Sequence, residues 1–187
     1  FMKKEFADDK PFDPYKDGID CDTHAEHLSK IIQVPTVSIR GRNDNTEIYK
    51  FHDLLEQQYP NIKVNAIRMP YEGLDEQLIT AVTGDAAPDV IRLDLTWRGK
   101  DKNRNPICLM SHQDVVPADS EKWKYDAFSG KIADGKIWGR GTVDTKGALC
   151  AILESIEELI KEGFTPVCDV YVGSSNNEEI TGDGAGK

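Results

Sequence analysis

The sequence predicts an α/β domain with a mixed, mostly parallel sheet covered by helices. Three observations carry this expectation. Segments with apolar residues at helical spacing alternate with short apolar runs along the chain. Two of those runs, PICLM at 106–110 and CDVYVG at 168–173, are continuous, as in strands buried on both faces. Between them, residues 145–162 read as the clearest helix, with Ala148, Leu149, Ile152, Leu153, Ile156, Leu159 and Ile160 forming a wide apolar face and Gly163 as its stop.

The remaining elements follow in order. Residues 1–21 read as an irregular lead-in. Asp22 is placed to cap a helix over 23–33, whose apolar side holds Leu28, Ile31 and Ile32, and Pro35 ends it. A second helix over 45–58 presents Ile48, Phe51, Leu54 and Leu55 on one side, with Pro60 beyond. Val64 and Ala66 begin a short strand, and residues 90–97 form an extended segment ending near Trp97. The polar run DKNRN turns the chain before PICLM. Residues 131–138 contain a turn at Asp134–Gly135 followed by a short strand. The chain closes on the glycine-rich TGDGAGK, which reads as a truncated end. Phe1 before Met2 likewise leaves the native start open.

Composition narrows the function classes. The 187 residues are 39% hydrophobic and 30% charged, as in ordinary globular domains. The net charge of -10 argues against nucleic acid and anionic membrane surfaces as main partners. No stretch approaches the roughly 18 to 20 apolar residues of a membrane span. The polar, acidic start lacks the apolar run of a secretory signal. Cys21, Cys108, Cys150 and Cys168 form no C-x-x-C pair or disulfide framework, so a reduced, cytoplasmic setting is expected. Cys108 and Cys150, in apolar segments, read as small buried hydrophobes.

Three polar clusters carry candidate chemistry. In SHQDVVP, after PICLM, His112 and Asp114 stand at i and i+2 and share a strand face. There a carboxylate can fix an imidazole's tautomer and raise its basicity as a ligand, although a lone buried histidine is the commoner outcome for so short a pattern. In GRGTVDTKG, the glycines allow a tight turn and Asp144 stands just before the long helix. Asp144 can serve there as a helix cap or as a metal ligand. The spacing matches neither nucleotide-loop pattern. In SSNNEEI, after CDVYVG, Glu178 and Glu179 are adjacent. Such pairs are usually solvated, yet one carboxylate can bind a metal while the other moves a proton. All three clusters lie where open α/β sheets place their ligands. Imidazole and carboxylate without thiolate suit zinc, and less specifically cobalt or manganese.

The stretches LMSHQDVVP, WKYDAFSGKIADGKIWGRGTVDTKGA and SSNNEEI together resemble the signatures of the co-catalytic dizinc peptidase and aminoacylase family. That family includes carboxypeptidase S, aminoacylase, succinyl-diaminopimelate desuccinylase and acetylornithine deacetylase. The text between the motifs is most similar to the carboxypeptidase S branch, and the resemblance covers residues 22–187. It implies a three-layer zinc-peptidase-like catalytic domain, of which this chain is the N-terminal part. It implies two Zn2+ ions, with His112 on one, Asp144 bridging both and Glu179 on the other. Glu178 would be the general base and acid, Asp114 would orient His112, and the peptide after Asp144 would be cis. The implied reaction is hydrolysis of an amide bond in a peptide or an N-acyl amino acid. Two readings compete: a deacylase or desuccinylase of a biosynthetic intermediate, and a non-catalytic binding protein.

This chain departs from the family pattern in two respects, one of them Asn176–Asn177 in place of the more acidic or small residues often found before the glutamates, from which no loss of chemistry is expected. The family's further carboxylate and distant histidine ligands, and the lid domain through which its members form homodimers, are expected beyond Lys187. His24, His27 and His52 are poor substitutes. They lie on the N-terminal helices, and His52 is expected on a solvated face beside Asp53. The isolated chain is therefore expected to bind zinc weakly and to show little activity.

Overall fold

Asp20 opens the first helix, α1 (Cys21–Ile32), its carboxylate accepting the Thr23 N–H at 3.1 Å. Asp22, expected as the cap, sits instead in the first turn, where its charge meets the positive end of the helix. The computed structural model describes residues 18–39, 44–62, 65–69 and 90–181. The lead-in before residue 18, Val64 and the GDGAGK tail lie outside the described residues. The helix α2 (Thr46–Gln58) follows, then the strands β1 (Asn65–Met69), β2 (Val90–Trp97) and β3 (Ile107–His112). A separate hairpin joins β4 (Lys131–Ala133) to β5 (Lys136–Trp138) through the Asp134–Gly135 turn, where both residues have positive φ. The long helix α3 (Lys146–Lys161), the strand β6 (Val170–Ser175) and the single-turn helix α4 (Glu178–Thr181) complete the described chain.

The main sheet has the order β1-β2-β6-β3. β1 with β2 and β2 with β6 are antiparallel, while β3 with β6 is parallel. The sheet is mixed, as expected, but its parallel part among the described strands is smaller than the sequence suggested.

One face of the sheet holds the core. Leu93, Leu95 and Val172 pack there with Ile31 of α1, Phe51 and Leu55 of α2, and Leu149 and Leu153 of α3. Leu149 and Leu153 are fully buried, each worth roughly 1.5–3 kcal/mol on transfer from water. Lys146, in the first turn of α3, is also fully buried. Its ammonium donates to Val34 O at 2.6 Å and to Ile31 O at 3.3 Å, and lies 5.1 Å from the Phe51 ring centroid. It thus caps the end of α1 from the start of α3. Burial pushes its pKa down to about 7, against the opposing pull of Asp114 and Glu47.

The other face differs from expectation. Cys108, Met110 and Tyr171 are exposed, so the described residues show two of the expected three layers. PICLM is not buried on both faces, because among the described residues no layer covers the face that carries Cys108 and Met110. Cys108 is correspondingly exposed, whereas Cys150 is buried as expected. An apolar run has the same spelling whether or not something covers its second face.

His52 also corrects its expectation. It is 5% exposed, and its Nε2 lies 2.7 Å from Gln113 Oε1, beneath the turn that follows β3. With Nε2 donating to that oxygen, Nδ1 is an acceptor, buried without a partner. Burial lowers the His52 pKa below its ordinary value, so the folded state resists its protonation. Folding stability should therefore be intact above about pH 6.5 and fall as the pH drops below it. Urea unfolding of wild type and His52→Gln between pH 7.5 and 5 should show a steeper acid loss for wild type. Equal slopes would remove His52 as the cause.

Candidate metal centre

The parallel pairing of β3 and β6 sets His112 opposite Ser175, so both strands release their chains at the same edge. β3 runs on through Gln113 to Asp114, and Gln113 N–H extends the pairing to Ser175 O at 2.8 Å. β6 runs on through Asn176 and Asn177 into α4, which begins with Glu178 and Glu179. The loop leading from β5 to α3 supplies the third arm. Its turn requires glycine at two places: Gly141 has φ +87 with Val115 close by, and a Cβ on Gly147 would run into the Thr142 carbonyl.

These arms bring the predicted residues together. His112 Nε2 lies 3.0 Å from Asp144 Oδ1 and 3.6 Å from Glu178 Oε2. Ligand atoms of His112, Asp144 and Glu179 all lie within 4.8 Å of one another. No other such group of three occurs among the described residues. The His112 side chain is 8% exposed, whereas Asp144 is 70% and Glu178 48% exposed, so the ring forms the floor and the carboxylates the mouth.

Asp114 is fully buried and does more than face the ring. Its carbonyl oxygen lies 2.9 Å from His112 Nδ1, and its carboxylate Oδ1 lies at 3.4 Å. With Nδ1–H donating to that carbonyl, Nε2 faces Asp144 and Glu178, and its lone pair becomes available to an ion once its own proton leaves. The two carboxylate oxygens meanwhile accept the backbone N–H groups of Glu178 and Glu179, at 3.3 and 3.2 Å. Asp114 therefore orients the imidazole largely through its backbone and holds the glutamate turn with its charge.

Asp144 is not a helix cap. Thr145 occupies the N-cap position of α3, and the Asp144–Thr145 peptide is cis. His24 and His27 turn away from the site: His24 Nε2 lies 2.8 Å from Glu158 Oε1, and His27 Nδ1 lies 2.7 Å from Glu154 Oε1. Sequence reasoning missed Ser111 and Thr145, whose hydroxyls meet at 2.7 Å beside the ligands. Both stand inside the quoted motifs, but nothing in their spacing shows that the two stretches touch.

The electrostatics suit a cation. Burial disfavours a charged His112, yet its hydrogen bonds with Asp114 and Asp144 prevail and raise its pKa to about 9. Burial raises the Glu179 pKa as well, opposed by His112 and reinforced by the neighbouring carboxylates of Asp144, Asp114 and Glu178. Carboxylates crowded around one imidazole nitrogen are relieved by a positive ion that takes the place of its proton. The donor set of one imidazole and two carboxylates fits zinc, as it would cobalt or manganese.

Known proteins share this sequence and fold. Residues 108–187 match the profile of Peptidase family M20/M25/M40. The chain is 34% identical over 165 residues to Probable carboxypeptidase S-like 2 of Dictyostelium discoideum, covering 85% of this chain and 28% of the relative. It is 33% identical over 158 residues to the N-fatty-acyl-amino acid synthase/hydrolase PM20D1 of Xenopus tropicalis (84% and 28%), and 32% over 170 residues to carboxypeptidase S of Saccharomyces cerevisiae (84% and 26%). The chain thus spans 26–28% of the length of these relatives. Among solved structures, human carnosine dipeptidase 1 superposes with a TM-score of 0.66 at 20% identity, over 87% of this chain and 33% of that one. The M20 family metallo-carboxypeptidase Sso-CP2 of Sulfolobus solfataricus does so with a TM-score of 0.62 at 22% identity, over 84% and 31%. Over residues 108–187 the chain thus matches Peptidase family M20/M25/M40, and its fold is shared with these two solved structures.

Proposed function

We propose that the chain forms part of a zinc-dependent amidohydrolase that cleaves a peptide or an N-acyl amino acid. The observation that supports this most is the convergence of the His112 ring with Asp144 and Glu179, while Glu178, half exposed, stands at the mouth 3.6 Å from the ring. The names of the relatives, carboxypeptidase S and N-fatty-acyl-amino acid synthase/hydrolase, support the same choice of amide substrate.

In this reading His112, Asp144 and Glu179 hold the metal. Bound zinc supplies Lewis-acid polarisation of a carbonyl and lowers the pKa of water. The protein's residues do the rest. Asp114 keeps Nδ1 of His112 protonated, so that Nε2 remains a donor to the ion. Glu178 takes a proton from the attacking water and returns it to the departing amine nitrogen. Its exposure leaves the carboxylate room to swing between the two positions. We propose two zinc ions, and Asp144 would be among the residues that hold them. Its 70% exposed carboxylate has an oxygen to spare. The second ion needs donors additional to these three.

Residues 22–187 are proposed as part of the catalytic domain, with 1–21 as a lead-in. Homodimerisation and a cytoplasmic location are also proposed, the latter supported by four free cysteines.

Two measurements test this reading. At pH 7 zinc must displace the proton that His112 holds with a pKa of about 9. Affinity should therefore fall as the pH is lowered, and calorimetry in buffers of different ionisation heat should detect proton release. His112→Ala should abolish that release and lower zinc occupancy; unchanged occupancy would remove His112 from the ligand set. In the full-length protein, Glu178→Gln should keep the zinc content and lower turnover by at least about 100-fold. Turnover equal to wild type would exclude Glu178 as the proton carrier.

A further inference from the structure

The hydroxyl of Thr145 has an unusual assignment. As the N-cap of α3 it would normally accept a hydrogen bond from the first turn, but it makes no such bond. It is turned instead onto β3. Residues of that strand alternate between β6 and the outer edge. Ile107 N–H donates to Asp169 O at 2.9 Å and Gln113 N–H to Ser175 O at 2.8 Å, so the intervening His112 directs its backbone N–H and C=O outward. The Thr145 hydroxyl lies there. Its Oγ1 accepts the His112 N–H at 3.2 Å and donates to His112 O at 3.1 Å. Ser111 Oγ lies 2.7 Å from Thr145 Oγ1 and is placed to donate to it. One hydroxyl therefore takes the place of a neighbouring strand at the residue whose ring faces the acidic groups.

We propose that Thr145, seconded by Ser111, is a positioning residue that fixes Asp144 against His112 and thereby sets the affinity for zinc. Thr145 follows Asp144 directly, so gripping the backbone of His112 also fixes where the Asp144 carboxylate begins. The ring and the carboxylate then face each other at 3.0 Å across a span closed by hydrogen bonds on its far side. Without the hydroxyl, the Asp144 loop remains joined to α3 but loses its register on β3. This inference rests on the reading that His112 and Asp144 share the metal.

The test, made in the full-length protein, compares Thr145→Val, which keeps the shape and loses the hydroxyl, with Thr145→Ser, which keeps the hydroxyl. Zinc affinity is read by competition with a chromogenic chelator, cobalt geometry by the visible spectrum of the Co2+ form, and folding by the unfolding midpoint of the metal-free protein. Thr145→Val should weaken zinc binding about 10–100-fold, the scale for groups that orient a ligand, and change the Co2+ bands. Thr145→Ser should bind zinc and absorb as wild type does. Ser111→Ala should give a smaller loss than Thr145→Val. If Thr145→Val does not fold, Thr145→Ala takes its place in the comparison. Affinity equal to wild type in the folded variant without the hydroxyl overturns the proposal, and so does an equal loss in Thr145→Ser. Absence of zinc uptake by wild type overturns the metal reading and this inference together, whereas equal uptake by wild type and Thr145→Val overturns this inference alone.

Discussion

The buried carboxylate of Asp114 is the interaction on which the rest of the site depends. A fully buried charge must find strong partners, and Asp114 finds them in the N–H groups of Glu178 and Glu179. Those bonds tie the chain leaving β3 to the chain leaving β6. The carbonyl of the same residue faces His112 Nδ1, which directs the opposite nitrogen toward the acidic groups. One residue thus sets the ring's orientation and the position of the two glutamates.

The third arm is placed by a different device. Lys146 points into the core and takes the last carbonyls of α1, while Asp144, two positions earlier, points to the mouth of the site. The start of α3 is thereby anchored on both sides, by an ammonium among carbonyls and aromatic carbon and by the Thr145 hydroxyl on β3. The helix cores of Leu149 and Leu153 hold the same element against the sheet. The geometry of the site is a by-product of core packing, because the loop bearing Asp144 is continuous with a helix whose apolar face is buried.

Much of the architecture was legible from periodicity. The helices at 21–32, 46–58 and 146–161 lie within two residues of their expected bounds, since long amphipathic patterns are hard to misread. The three clusters were legible from residue types placed after strands and before a helix, the choice of His112, Asp144 and Glu179 among them came from the family resemblance, and the structure brings ligand atoms of these three within 4.8 Å of one another. What failed depended on neighbours. PICLM and Cys108 were read as buried because apolar spelling does not say which face is covered. His52 was read as solvated because Asp53 stands beside it, yet the helix turns the two residues to different sides. Asp20 took the cap expected of Asp22 through a difference of two residues that only backbone geometry resolves.

By itself the sequence determined the kinds of element, their order and the chemistry of the donors, because these follow from local spacing and side-chain type. Tertiary structure alone decided that β3 lies parallel to β6, that Asp114 spends its charge on the glutamate turn, and that the hydroxyl of Thr145 closes the edge of β3. Those contacts join residues from about 30 to more than 60 positions apart, and which distant groups meet is set by the packing of the whole core rather than by any pattern along the chain.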